Sequence, residues 1–250
     1  MDSDFASSRI EISEQALRRN LRFLRREIGP GTTIAAVVKG NAYGHGIDLW
    51  VPLVERCGVS IFAVASADEA LRVVASREHP KTRVMIMSDV AGDALEWAVA
   101  NGVEFWVPTL YRLHDAIAAA RRVGRPARLH LELETGFHRT GLEEEELADV
   151  VKLLSEAGDD VRVEGVCTHY AGAESVANCL RIARQREVFD SRVDWLRRQG
   201  VHTGLRHGAS SAAALIYPET RMDMVRIGIA HYGFRPSQET WMSFHLKRHT

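Results

Sequence analysis

The sequence is poor in cysteine and has no apolar segment long enough to cross a bilayer. Its three cysteines, Cys57, Cys167 and Cys179, lie far apart and form no CxxC pair, which argues against a disulfide framework or a structural zinc site. No apolar run approaches the ~18 residues that a membrane span needs, and the N-terminus shows no apolar core of a signal peptide. We therefore expect a soluble, cytoplasmic protein.

The sequence also lacks a large net charge of either sign. The formal charge is -1, so the sequence lacks the basic footprint of a nucleic-acid-binding protein. Hydrophobic residues make up 46% of the 250 positions, which is enough for a full-sized core, and one α/β barrel commonly has this length. These absences leave a globular protein for which we expect neither a nucleic-acid nor a membrane partner.

Short apolar segments alternate with amphipathic ones along most of the chain. The predicted strands cover 33–38, 61–65, 84–87, 103–107, 129–133, 163–168, 204–207 and 224–227. The predicted helices between them cover 47–57, 67–77, 91–100, 110–122, 143–157, 176–199 and 211–216. Eight strands alternating with helices imply parallel pairing, and eight is the number that closes a barrel. The predicted fold class is a (β/α)8 TIM-type barrel, although an open doubly wound sheet gives the same local pattern.

Two further segments flank this repeat. After a short strand predicted at 9–12, Ser13 is expected to cap a helix to about Ile28, which fills the eighth outer place if strand eight pairs with strand one. At the other end, 242–247 alternates like the first strand of a new sheet. We expect a barrel domain over 1–232, then a linker and the first strand of an incomplete C-terminal β domain over 233–250.

The most informative segment is 33–46, TIAAVVKGNAYGHG. It opens as a buried strand and ends in Lys39, after which glycine and small residues let the backbone turn tightly and approach a ligand. A lysine at the carboxyl mouth of a buried strand can lose part of its hydration and become a nucleophilic amine suited to Schiff-base chemistry. A lone lysine at a strand end is more often an ordinary surface residue.

Polar side chains lie in the last residues of the predicted strands or just after them, at that same end. They are Glu132, Glu134, Arg139, His169, His207, Ser210, Ser211 and Arg226. In an α/β barrel the carboxyl ends of the strands form the active site, and phosphate binds near strands seven and eight. Each residue also has an ordinary interpretation, for example Arg226 as an ion pair with Asp223, or the serines as helix caps. Their shared position favours a cofactor site with an amine, an anion site and a group that controls a ring nitrogen.

The segment 37–46, VVKGNAYGHG, resembles the pyridoxal-phosphate lysine motif of the alanine racemases, apart from Gly40, where that family commonly has alanine. Further matches follow in order: ETGFHRTG at 134–141, THYA at 168–171 and MVRIGI at 224–229. The resemblance extends from about residue 9 to 240. It implies a barrel enzyme that binds pyridoxal 5'-phosphate and interconverts L- and D-alanine, supplying D-alanine for peptidoglycan in the cell wall.

The resemblance also implies roles for individual residues. Lys39, His169 and Arg226 are the implied catalytic residues, with Lys39 in Schiff-base linkage to the cofactor and Arg226 at its pyridine nitrogen. Arg139 would contact the substrate, and His207 would join a hydrogen-bond network with Arg226. The implied cofactor ligands further include Tyr43, Ser210, Ser211, Gly228 and Ile229. Because a guanidinium keeps its charge, an arginine at the ring nitrogen should favour racemisation over transamination.

Two positions depart from the family. Ser210 stands where the family usually has asparagine. Glu132 stands where many members have a carbamylated lysine that holds the loop arginine, and we expect Glu132 to hold Arg139 through a charge-assisted pair.

The implied enzyme is a homodimer, because the second acid/base of the family is a tyrosine from the C-terminal β domain of the partner subunit. No tyrosine after Tyr232 matches it. We therefore expect cofactor binding with weak or no racemase activity, unless a further segment is supplied.

Other functions stay open. A single-barrel pyridoxal-phosphate carrier without racemase activity would have a similar length, although the lysine segment argues against it. A metal-dependent barrel hydrolase would need ligands from His130, Glu132, Glu134, His169 and His207. The His-x-His that such enzymes carry on the first strand is absent, so no metal site is predicted. Four histidines, His130, His138, His202 and His245, are interpreted as structural or surface residues.

Overall fold

A computed structural model describes residues 11–240 and Met242. Eight parallel strands form a closed barrel in sequence order. They are β1 Thr33–Val37, β2 Ile61–Val64, β3 Arg83–Ile86, β4 Glu104–Val107, β5 Ala127–Glu132, β6 Val161–Cys167, β7 Leu205–His207 and β8 Met224–Ile227. The predicted barrel is confirmed, and the open-sheet alternative is wrong because β1 pairs with β8 along four residues, from Thr33 to Ala36.

Helices surround this barrel. They are α1 Glu14–Ile28, α2 Lys39–Tyr43, α3 Ile47–Arg56, α4 Ala67–Ser76, α5 Gly92–Ala100, α6 Leu110–Val123, α7 Leu147–Ala157, α8 Cys179–Arg198 and α9 Ser211–Ile216. The predicted cap of α1 is present, since the Ser13 side chain accepts the Ala16 N–H at 3.2 Å. Next to β8, α1 completes the outer ring, where Asn20 donates to the His231 carbonyl at 3.3 Å. No helix in the described part of the chain has the length and apolar character to span a bilayer.

Both predicted terminal strands differ from the structure. Glu11 and Ile12 are in no strand, because the cap at Ser13 already commits the chain to a helix, and residues 9 and 10 lie outside the described part. Residues 238–240 and Met242 are helical, so the strand predicted from Met242 does not begin there. The Ser237 hydroxyl accepts the Thr240 N–H at 3.1 Å, which caps a helical turn. Residues 243–247 of that prediction, and His245, lie outside the described residues.

Charged side chains point into the barrel interior. Because side chains alternate across a strand, Glu104 and Trp106 of β4 face the same way, as do His130 and Glu132 of β5. All four are buried. A buried charge is costly unless other groups bind it, so the barrel interior depends on the partners of these side chains.

Gly165 of β6 lets His130 fit inside the barrel. A Cβ on Gly165 would overlap His130 Nδ1 and lie 2.6 Å from the Leu205 carbonyl oxygen. Gly165→Ala should therefore lower the free energy of unfolding by about 1–3 kcal/mol, measured by urea denaturation. Gly31→Ala is the matched control, because a Cβ there meets no atom within 4 Å. Equal losses in both variants would contradict this packing argument.

Candidate active site

Lys39 opens a helical turn of left-handed conformation. Gly40, Asn41, Ala42 and Tyr43 have φ angles between 53° and 62°. For non-glycine residues this conformation costs roughly 1–2 kcal/mol each, so contacts from elsewhere must hold the turn. The glycines predicted a tight turn here, but nothing in the sequence predicts three consecutive non-glycine residues in this region.

Two polar side chains hold this turn. Glu69 of α4 accepts the Gly40 N–H at 2.6 Å and the Ala65 N–H at 2.9 Å, which joins the ends of β1 and β2. Asn41 Oδ1 accepts the first N–H of α3 at 3.1 Å. Together they fix the direction in which Lys39 leaves the barrel.

An aromatic cluster packs the same turn against the segment after β8. Its members are Tyr43, His45, Trp50, His231, Tyr232 and Phe234. The Tyr232 hydroxyl donates to the Val37 carbonyl at 3.1 Å, and Trp50 Nε1 donates to His231 Nε2 at 3.0 Å. Burial lowers the pKa of His231 to about 3, so its ring stays neutral and can accept this bond.

A cavity of about 590 Å³ opens at the carboxyl ends of the strands. Ten of the eleven predicted site residues line it: Lys39, Tyr43, Glu132, Arg139, His169, Ser210, Ser211, Arg226, Gly228 and Ile229. The eleventh, His207, is buried and contacts Arg226. Lys39 is exposed, so the loss of hydration that its position allowed is not found in this structure.

Arg226 is buried at the base of this cavity. Its Nη1 donates to His207 Nδ1 at 2.7 Å, and its Nη2 donates to His169 Nδ1 at 3.1 Å. Nη2 also donates to two backbone carbonyls, at 2.9 and 3.1 Å. The alternative pairing with Asp223 is wrong, because Asp223 binds Arg206 at 3.0 Å. The guanidinium is therefore held by neutral acceptors.

His169 is a neutral acceptor in this arrangement. Arginine can only donate, so His169 Nδ1 carries no proton and the neutral ring carries it on Nε2. Burial lowers the pKa of His169 to about 3, and the charges of Arg226, Arg139 and Lys39 act in the same direction. The Phe137 ring lies edge-on to the His169 ring, with their centroids 5.3 Å apart. The Arg139 guanidinium carbon lies over the Phe137 ring, 4.4 Å from its centroid.

The expected ion pair between Glu132 and Arg139 does not form. Glu132 instead accepts the Thr140 hydroxyl at 3.1 Å, and burial raises the pKa of its carboxyl. The loop after β5 folds back so that Leu142 pairs with Leu133. This return brings Thr140 over the carboxylate and leaves Arg139 exposed at the rim of the cavity.

The two serines after β7 have different partners. Ser210 accepts the Ala213 N–H at 3.4 Å, which is the ordinary cap that its position allowed. Ser211 is buried and accepts the Gly228 N–H at 3.0 Å. The Tyr43 hydroxyl lies 2.6 Å from the place that a Cβ on Gly228 would occupy. Hydroxyl groups and a bare backbone thus converge between β7 and β8, where barrels bind phosphate.

The family profile described as "Alanine racemase, N-terminal domain" matches residues 12–236. The chain belongs to the alanine racemase family. An alanine racemase from Leptospira interrogans is 32% identical over 247 residues, which cover 97% of this chain and 61% of that protein. One from Desulforamulus reducens is 36% identical over 235 residues, covering 92% and 61%. The chain thus spans about 61% of the length of these relatives.

The fold is shared with solved members of this family. The alanine racemase from Streptomyces coelicolor matches with a TM-score of 0.86 at 31% identity, over 91% of this chain and 60% of that one. The recognised family therefore agrees with the closed barrel and with the motifs that line its cavity.

Sequence reasoning missed several cavity residues. Met87, Ser88, Asp89, Trp106, Pro108 and Glu174 also line the cavity. The ends of β3 and β4 carry five of them, and the rule that barrel sites form at strand ends would have indicated these positions.

Gln185 of α8 had no comparable signal in the sequence. Its amide accepts the Ala171 N–H at 2.9 Å and donates to the His169 carbonyl at 3.1 Å and to Thr135 at 3.3 Å. It therefore ties together the loops after β5 and β6, which carry Arg139 and His169.

Glu69→Gln should loosen the turn that follows Lys39. One of the two N–H groups of Gly40 and Ala65 then loses its acceptor, at a cost of about 1–3 kcal/mol. The exchange of the amide hydrogen of Gly40 or of Ala65, measured by NMR for both, should accelerate at least about fivefold. Asp68→Asn is the matched control, because Asp68 is exposed in the same turn of α4. Unchanged exchange in Glu69→Gln would contradict this role.

His169 should make the stability depend on pH. Its pKa of about 3 in the fold lies below the ordinary 6.5, so the unfolded chain binds a proton that the folded chain does not. The stabilisation is fully present above pH ~6.5 and is lost as the pH falls towards 3. In urea unfolding, the free energy of unfolding of His169→Asn should fall less steeply between pH 6.5 and 5 than that of the wild type. The two slopes should differ by up to about 1.4 kcal/mol per pH unit. Parallel slopes in the two proteins would contradict the assignment.

Proposed function

We propose that this chain provides the pyridoxal-phosphate-binding barrel of an alanine racemase. The observation that carries the proposal is the common cavity, in which Lys39, Arg226 and the Ser211–Gly228 backbone contact meet at the carboxyl end of the barrel. A protein holds pyridoxal phosphate through an amine for the covalent link, a partner for the ring nitrogen, which can be an arginine, and a site for the phosphate anion.

The residues present fit this cofactor. The corner formed by Tyr43, Ser211, Gly228 and Ile229 suits its phosphate, and a side chain on Gly228 would collide with the Tyr43 hydroxyl. Ser210 caps α9 and would contribute backbone more than side chain. An alanine racemase from Bartonella henselae, similar in fold with a TM-score of 0.78 at 24% identity, holds covalently bound pyridoxal phosphate. When bound, this cofactor supplies an aldehyde that joins an amino group and a ring that acidifies the α-carbon.

Each residue of the chain in this cavity would then have a separate role. Lys39, the residue for the covalent link, would also move a proton at the α-carbon of alanine on one face, as general base or acid. Arg226 keeps its protons because its guanidinium remains charged, so it would donate a hydrogen bond to the ring nitrogen without protonating it. His169 carries its proton on Nε2 and accepts Arg226 on Nδ1, which holds Arg226 in place. Arg139 at the rim is free to bind the substrate carboxylate, since it forms no ion pair with Glu132.

Racemisation needs a second acid/base on the opposite face of the α-carbon. Tyr43 is the one tyrosine among the described lining residues, and it belongs to the phosphate corner. We infer that the second group is a tyrosine supplied by the C-terminal β domain of a partner subunit in a homodimer. The product, D-alanine, would serve peptidoglycan synthesis in the cytoplasm.

Two alternatives are weaker. A pyridoxal-phosphate carrier would share the lysine but needs no substrate arginine at the rim, whereas Arg139 lies there. A metal-dependent hydrolase lacks support, because no three His, Cys, Asp or Glu side chains in the described residues gather as metal ligands. His130 binds His207 and Glu104, and Glu134 accepts backbone N–H groups of its own loop.

Borohydride reduction tests the proposal directly. After incubation with pyridoxal phosphate and reduction, peptide mapping should find the label on Lys39, and Lys39→Ala should abolish it. Lys152→Ala is the control, because Lys152 is an exposed lysine on α7 outside the cavity. Labelling at another lysine in the wild-type chain would overturn the proposal. Conversion of L- to D-alanine by the protein that takes the label, assayed with the C-terminal β domain of an alanine racemase supplied, then distinguishes an enzyme from a carrier.

A further inference from the structure

A row of four hydrogen-bonded side chains crosses the barrel interior below the cavity. Arg226 Nη1 contacts His207 Nδ1 at 2.7 Å, His207 Nε2 contacts His130 Nδ1 at 2.9 Å, and His130 Nε2 contacts Glu104 Oε2 at 2.9 Å. All four residues are buried. We call Arg226, His207, His130 and Glu104 the polar row.

The two ends of the polar row determine the direction of every bond in it. Arg226 can only donate, so His207 Nδ1 accepts and the ring proton lies on Nε2. That proton is donated to His130 Nδ1, so the His130 proton must also lie on Nε2. It is donated to Glu104, whose carboxylate can only accept. Each histidine therefore has one possible tautomer.

The charges of the polar row agree with this direction. Burial lowers the pKa of His207 well below its ordinary value, and the charge of Arg226 acts in the same direction. Burial alone would raise the pKa of Glu104, but hydrogen bonds from His130 and Arg83 outweigh it and hold the pKa at about 2. A neutral His207 between the Arg226 cation and the Glu104 carboxylate end of the polar row can accept a hydrogen bond from Arg226.

We propose that His130 and Glu104 are positioning residues for Arg226: the Glu104 carboxylate selects the Nε2–H tautomer of both histidines and so keeps His207 Nδ1 open to the guanidinium. This inference rests on the proposed function, in which Arg226 serves the cofactor ring, and it extends the machinery by two side chains to the opposite end of the barrel. Neither residue lines the cavity.

The carboxylate of Glu104 is held by two arginines, which makes a sharp substitution available. Oε1 accepts Arg83 Nε at 2.6 Å and Arg128 Nη2 at 2.9 Å, while Oε2 accepts His130 and Arg83 Nη2 at 2.9 Å. In Glu104→Gln the amide oxygen should take the Oε1 place, where both donors are arginines, because His130 alone among the donors to this carboxylate can become an acceptor. Its NH2 group then faces His130 Nε2, which must accept, so the His130 proton moves to Nδ1 and opposes the His207 Nε2–H.

Glu164 offers a matched control. It binds the same two arginines, with Arg128 Nε at 2.9 Å and Arg83 Nη2 at 3.7 Å. Glu164→Gln removes the same charge from the same cluster without touching His130. A loss of stability caused by the charge cluster alone should therefore appear in both variants.

The test is 15N NMR of histidine-labelled protein without cofactor, in which long-range 1H–15N spectra report the tautomer of each ring. Wild type and Glu164→Gln should show Nε2–H for His130, His207 and His169. Glu104→Gln should show Nδ1–H for His130. Titration with pyridoxal phosphate, followed by absorbance, should then give roughly fivefold weaker binding for Glu104→Gln than for Glu164→Gln, as expected for one lost hydrogen bond.

The outcomes separate this inference from the proposed function. An Nδ1–H tautomer at His207 or His130 in wild type would overturn the polar row as described, whether or not Lys39 takes the label. Equal tautomers and equal binding in Glu104→Gln and Glu164→Gln would overturn the positioning role. The expected tautomers in a protein that labels elsewhere than Lys39 would overturn the proposed function and, with it, the role assigned to Arg226.

Discussion

The buried guanidinium of Arg226 is the constraint on which the rest of this site depends. A charge taken from water needs hydrogen-bond partners, and a buried carboxylate beside it would be the usual one. Here the direct acceptors are two histidine nitrogens and two backbone carbonyls. The arginine thus keeps both its charge and its protons, and the histidines around it must stay neutral. Their depressed pKa values are a consequence of that arrangement.

The carboxylate at the far end of the polar row does not contact Arg226 directly. Glu104 binds Arg83 and Arg128 at the amino-terminal end of the barrel and reaches Arg226 only through His130 and His207. A carboxylate in direct contact would compete with a ligand for the guanidinium. With two imidazoles between them, the carboxylate orders the row while the guanidinium stays available on the side of the cavity.

The Lys39 turn is held by a second set of contacts. Its left-handed residues are unfavourable by themselves, and Glu69, Asn41 and the aromatic cluster supply what fixes them. Tyr43 connects this turn to the corner between β7 and β8, because its ring packs against Tyr232 while its hydroxyl lies over Gly228. The strained turn therefore couples the position of the reactive amine to the corner suited to phosphate.

Local patterns in the sequence determined the strands, the barrel and the polar residues at the strand ends, because alternation and burial are properties of neighbouring residues. That is why Lys39, His169, Ser211 and Arg226 were found. Only the tertiary structure decided that Thr140 rather than Arg139 covers Glu132, and that His130 meets Glu104. Those contacts join residues on different strands and loops, and their partners follow from the register of the closed barrel and from loop geometry. A one-dimensional pattern contains neither.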